Sequence, residues 1–84
     1  MTNPNNYRHY NAPYGYRVKN GQLVLNPKDL KVCRIVVDFM DRKQRPARET
    51  ARELIRRGLK NRRGEIKWGH LVVQQIFRRW KGKL

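Results

Sequence analysis

The sequence predicts a small α+β domain, mainly helical, with an N-terminal β-hairpin and three helices in a helix-turn-helix-like arrangement. Three observations predict it. An Asn-Gly pair sits between two short, largely apolar runs. Apolar side chains recur at helical spacing in three later segments, and those segments carry helix start and stop residues. Finally, 84 residues make one domain at most, and a chain of that size buries only about 60–65% of its unfolded surface, too little to wall in a large pocket.

Residues 1–12 are rich in Asn and Tyr, with Pro4 and Pro13 as breakers. They read as a flexible basic and aromatic arm ahead of a domain over 13–84. Tyr7, Arg8, His9 and Tyr10 are side chains that stack on bases or grip phosphates, and a plain disordered tail is the alternative. In "YGYRVKNGQLVLN", Asn20-Gly21 suits the positive φ values of a type I′ turn. That turn pairs Val18 with Leu23 and Tyr16 with Leu25 on one apolar face, and leaves Arg17 and Val24 on the other.

Asn26 then has the character of an N-cap, with Pro27 at the first helical position and Asp29 near the positive helix end. Over 27–42, Leu30, Cys33, Val36, Val37 and Met40 share one helical stripe, widened by Val32, Ile35 and Phe39. The β-branched "VCRIVVDF" also permits a strand, but the cap and the period favour a helix. Pro46 opens a second helix whose expected buried face is Ala47, Ala51, Leu54 and Ile55, with Gly58 as its stop. Arg48, Arg52 and Arg56 run down another face, and Glu53 stands four residues before Arg57. A third helix runs from His70 to Trp80, with Val73, Ile76, Phe77 and Trp80 as its core stripe and Val72 beside them.

The formal charge is +15, and its distribution is uneven. Residues 1–41 hold six basic and three acidic side chains, a net of +3; residues 42–84 hold fifteen against three, a net of +12. Basic charge gathered on one half of a domain is the signature of nucleic-acid binding. An anionic membrane surface is the competing reading, but no apolar run approaches the length of a membrane span and the polar N-terminus is no signal peptide. The expectation is a cytoplasmic, nucleoid-associated protein. Cys33 is the only cysteine and lies in an apolar run, as an inert buried thiol would. His9 and His70 stand far in sequence from each other and from Cys33, so no metal or other cofactor is expected. Glu49 and Glu53 read as solvated helix charges rather than a catalytic pair, since acid–base catalysis needs a shaped, partly dry pocket. Neither an enzyme nor a small-molecule substrate is expected.

The third helix presents Leu71, Gln74, Gln75 and Arg78 away from its core stripe, flanked by His70 and Arg79. Gln suits an adenine edge, Arg a guanine edge and an exposed Leu a thymine methyl; a merely solvated face is the bland alternative, and would more often use Glu and Lys. Before that helix, the loop 59–68 carries Lys60, Arg62, Arg63 and Lys67, placed for phosphates or the minor groove. Trp68 ends it as a core anchor, with base stacking as the lesser reading.

Taken in order, Pro13, Gly15, Tyr16, Gly21, Ala51, Leu54, Gly58, Gly64 and Trp68, with Val73 and Ile76 on the last helix, resemble the DNA-binding "recombinase" domain of the large serine recombinases, the group of phage integrases and transposon resolvases. The resemblance covers about residues 13 to 79. It implies a stand-alone domain that binds double-stranded DNA through Arg48, Arg52, the loop cations and the last helix. The implied role is regulatory or accessory, in site-specific recombination or transcription of a mobile element. The departures matter as much. The chain contains no serine, so it has no counterpart of the family's nucleophile. The zinc ribbon and coiled coil that usually follow are also missing from these residues. Pro46 stands where the family often has Ser, and Arg79-Trp80-Lys81-Gly82 replaces the usual Asn-Pro-x-Tyr. Two rivals remain: a small basic RNA-binding protein, ribosome-associated for example, and an interaction module that docks on a nucleic-acid enzyme.

Overall fold

The computed structural model describes residues 12–84. The arm expected over 1–12 therefore lies outside the described residues, apart from Ala12, which is buried. The order of elements is β1 (Tyr16–Lys19), β2 (Gln22–Leu25), α1 (Pro27–Val37) continued by a π-helical turn (Asp38–Arg42), α2 (Ala47–Arg56) and α3 (His70–Trp80). This is the small α+β fold of a hairpin and three helices. Packing divides the chain into two units, Met1–Lys31 and Val32–Leu84.

In the first unit β1 and β2 pair antiparallel in the expected register, Tyr16 opposite Leu25 and Val18 opposite Leu23. The register follows from the turn, where Asn20 and Gly21 take φ of 52° and 75°, the type I′ geometry that matches strand twist. The apolar face is only half covered, and Leu25 at its open end is exposed. The N-cap forms as expected: the Asn26 Oδ1 accepts from the backbone N–H of Lys28 at 3.1 Å and of Asp29 at 3.4 Å. Asp29 also does something the sequence reading did not assign. Its buried carboxylate accepts the Gly15 N–H at 3.1 Å, which ties the helix start to the turn before β1. Gly15 sits at φ 104°, a conformation that a side chain would strain.

The second unit takes its core from Val32, Cys33, Val36 and Val37 of α1, one face of α2, Trp68, and Val73, Ile76 and Trp80 of α3; α2 packs on α3 and on the π-helical turn. Cys33 is fully buried, as expected of an inert thiol. The helix expected over 27–42 changes character near its end. The Lys43 N–H bonds to the Asp38 carbonyl at 3.0 Å, which adds a residue to that turn and carries Phe39 and Met40 off the buried stripe. Both are half-buried.

Two core assignments need correction. The buried face of α2 is Ala47, Thr50, Ala51 and Leu54, not one that includes Ile55, which is 43% exposed. Thr50 can be buried because its hydroxyl donates to the Pro46 carbonyl at 3.0 Å, so no polar group is stranded. On α3, Val72 is exposed and Phe77 half-buried, so the stripe narrows to Val73, Ile76 and Trp80. Gly58 ends α2 as expected, at φ 69°. Its N–H bonds to the Ile55 carbonyl and the Leu59 N–H to the Leu54 carbonyl, the paired closure that a left-handed residue after a helix allows.

Candidate nucleic-acid interface

Every residue of the expected interface lies in the second unit. Arg48 and Arg52 project from the flank of α2, one turn apart. With Ala51, Ile55, Trp68, Gly69 and His70 they line an open cleft of about 340 Å³ between α2 and the start of α3. Two expected site residues of α2 and one of α3 are thus brought together, around a floor that is apolar. Ile55 belongs to this cleft rather than to the core, a role sequence reasoning missed.

The loop 59–68 is built, not slack. Asn61 organises it: its Oδ1 accepts the N–H of Arg63 at 2.9 Å and of Glu65 at 3.0 Å, and its side-chain amide donates to the Lys67 carbonyl at 3.1 Å. Its own backbone N–H bonds to the Glu65 carbonyl and its carbonyl accepts the Gly64 N–H. Gly64 closes the turn at φ 81°. Trp68 anchors the far end as expected, buried, with Nε1 donating to the Leu59 carbonyl at 2.9 Å. The consequence is that Lys60, Arg62, Arg63 and Lys67 stand exposed on a fixed frame. Asn61 was the signal passed over; an Asn three residues before a Gly is a local turn former.

On α3, Leu71 is 63% exposed, and Gln75, Arg78 and Arg79 are exposed with it. His70 and Gln74 are half-buried. The helix begins after Gly69 with no side-chain cap and has no acidic residue in its first turn, so its first N–H groups and the positive end of its dipole are not screened from the protein side.

The acidic residues sort the cations into two sets. Asp38 pairs with Arg42 at 3.5 Å and Lys43 at 3.6 Å, and Glu49 with Arg45 at 3.6 Å. Glu53 takes both Arg56, in a two-pronged contact, and Arg57 at 2.6 Å; the expected Glu53–Arg57 pair is present. Lys43 and Arg57 also lie over the Phe39 ring, at 4.5 and 5.6 Å. All these pairs belong to the π-helical turn, the segment after it and α2. Among the described residues, the side chains of Arg48, Arg52, Lys60, Arg63, Lys67, Arg78 and Arg79 have no ion-pair partner, and neither do those of Arg17, Lys19, Lys28, Lys31, Arg34, Lys81 and Lys83 outside the expected interface.

The Glu53 carboxyl is lowered from its ordinary 4.5 to about 2, chiefly by the Arg56 hydrogen bond and then by that of Arg57. A carboxylate whose folded pKa is depressed stabilises the fold above its unfolded value, and that contribution disappears as pH falls from about 4.5 toward about 2. Thermal melts across this window should show wild type losing stability that a Glu53→Gln variant never had. Parallel curves for the two proteins would show that the pairing contributes nothing.

Among the described residues no helix is long and apolar enough to cross a membrane, and no cluster of His, Cys, Asp and Glu could hold a metal ion. No protein-family profile, curated protein or solved structure matches the chain.

Proposed function

We propose that this chain binds double-stranded DNA, with α3 reading base edges in the major groove and the loop 59–68 and the α2 flank holding phosphates. The single observation that supports this best is the gathering of cations: Arg48, Arg52, Lys60, Arg63, Lys67, Arg78 and Arg79 stand on the cleft, the loop and α3, and among the described residues none of them meets a carboxylate. A domain that needed charge only to stay dispersed would gain nothing from such a concentration. Two features add to it. The outer face of α3 offers Gln, Arg and an exposed Leu, the side chains that read purine edges and thymine methyls. The loop presents its arginines on a hydrogen-bonded frame, which spares the entropy of ordering it on binding.

In biological terms the reading is a relative of the recombinase DNA-binding domain, nucleoid-associated, acting as an accessory or regulator on a mobile element. Its support is the ordered motif set from Pro13 to Ile76.

The test is a set of paired titrations on a duplex selected from a random pool and on a scrambled one. Arg78→Ala or Gln74→Ala should cost about 1–3 kcal/mol on the selected site and much less on the scrambled one. Arg62→Ala and Arg63→Ala should weaken both alike and shallow the salt dependence by about one unit each. Equal losses for the α3 variants on both duplexes would overturn base reading. Tighter binding to structured RNA than to any duplex DNA would overturn the choice of DNA.

A further inference from the structure

The outer face of α3 carries its side chains in an order that base reading in general does not require. Leu71, Gln75 and Arg78 lie one above the other at i, i+4 and i+7, with Val72 and Arg79 beside them, and all five are exposed. Val73, Ile76 and Trp80 on the opposite side fill the core. Along the helix the outer face changes from apolar to cationic. Its first turn shows Leu71, 63% exposed, beside Val72, 44% exposed. Its last turn shows Arg78 and Arg79, and neither meets a carboxylate among the described residues. A single exposed apolar side chain is ordinary on a protein surface. Among the exposed large apolar side chains of the described residues, however, Leu71 and Val72 are the only two adjacent in sequence. Val72 gains the helix nothing either, since valine is a poorer helix former than the Lys, Gln or Arg of a solvated face.

We infer that Leu71 and Val72 together form a seat for pyrimidine 5-methyl groups in the major groove, so that the preferred site carries adjacent thymines against the first turn of α3 and guanine against the last. The inference deepens the DNA-binding reading above and rests on it; Val72 has no part in that reading. In the major groove a thymine shows a methyl group that offers no hydrogen bond. An apolar side chain gains from it by taking hydrocarbon of both partners out of water. Arginine suits the paired acceptors of guanine instead. Leu71 and Arg78 stand about 10 Å apart along the helix and stacked base pairs about 3.4 Å, so the two ends of the face meet different base pairs. Charge complementarity favours this occupant over a second copy of the chain. A copy seated here would set Arg78 and Arg79 against a molecule of net charge +15, and α3 itself has no carboxylate to receive them.

The experiment takes a duplex selected from a random pool and a copy of it in which every thymine is replaced by uracil, which removes the 5-methyl group and keeps the base pairing. Both are titrated at fixed salt with wild type, Leu71→Ala, Val72→Ala and Leu25→Ala. A buried methyl is worth about fourfold in affinity, so wild type should prefer the thymine duplex by about tenfold across two positions. Leu71→Ala and Val72→Ala should each narrow that preference about threefold. Leu25→Ala removes an exposed apolar side chain from the hairpin and should leave the preference at the wild-type value. Effects of uracil on the duplex itself are common to all four proteins and cancel in the comparison. Circular dichroism checks folding, and Leu71→Gln and Val72→Thr serve if an alanine variant is unfolded. A selected site without adjacent thymines overturns the methyl seat outright. Equal affinity of wild type for the two duplexes, with the selected sequence still preferred to a scrambled one, overturns the seat and leaves base reading standing. A thymine preference that neither α3 substitution alters also overturns it; if sedimentation shows those variants losing self-association, the face belongs to a second copy of the chain. Failure of wild type to prefer any selected site overturns the reading beneath.

Discussion

Raising the salt from about 50 to about 200 mM should weaken binding to duplex DNA several thousandfold. Six cations without ion partners, Arg48, Arg52, Lys60, Arg63, Lys67 and Arg79, are placed in the cleft, on the loop and on α3, and the exposed Arg62 stands on the same loop. Each phosphate neutralised contributes about −0.9 to the slope of log affinity against log salt, so the seven together give a slope of about −6. The paired cations are not counted, because Arg42, Lys43, Arg45, Arg56 and Arg57 already face carboxylates. Titration of a fluorescent duplex at four or more salt concentrations measures the slope directly. A slope near zero would remove the electrostatic basis of the proposed function. A slope steeper than about −9 would show that the paired set is also recruited.

The largest effect on stability is expected at Trp68. Trp68→Ala should cost about 3–5 kcal/mol, a large share of the roughly 5–15 kcal/mol that holds a domain folded. The indole is buried where the loop meets α3, and its N–H holds the Leu59 carbonyl. Trp68→Phe keeps most of the packing and forfeits the hydrogen bond, so it should cost about 1–2 kcal/mol. Urea melts of the three proteins separate the two contributions. A cost below about 1 kcal/mol for the alanine variant would mean that the indole packs without supporting the fold.

Much of this fold could be read from local chemistry. The hairpin register followed from Asn20-Gly21, the start of α1 from Asn26-Pro27 and the end of α2 from Gly58, because each depends on the backbone preferences of one or two residues. The errors came where a choice depends on groups distant in sequence or on backbone already in place. Hydropathy placed Ile55 in the core and left out Thr50, yet Thr50 is buried once the Pro46 carbonyl is there to receive its hydroxyl. The π-helical turn shifted Phe39 and Met40 without any proline or glycine to announce it. For the candidate site, the cations of α2, the loop and α3 were legible from charge and spacing. Of the ion pairs, Glu53–Arg57 was read from its i,i+4 spacing, which the helix fixes, while Asp38–Arg42 and Arg45–Glu49 carry the same spacing and went unread. The cleft could not be foreseen; it exists only when the flank of α2 meets the start of α3.

The frame around Asn61 has a consequence for survival in a crowded cell. Lys60, Arg62, Arg63 and Lys67 are four cleavage points for a trypsin-like protease within eight residues. Such an enzyme acts on chain drawn out into an extended strand, so exposed loop tips are its usual targets. Here the strand cannot be drawn out while the Asn61 side chain holds residues 63, 65 and 67 together. Nicking must wait for those bonds to open as a group, and its rate follows the population of the opened loop rather than its exposure. The arginine-rich segment is thereby kept exposed at the surface and withheld from a protease by the same few hydrogen bonds.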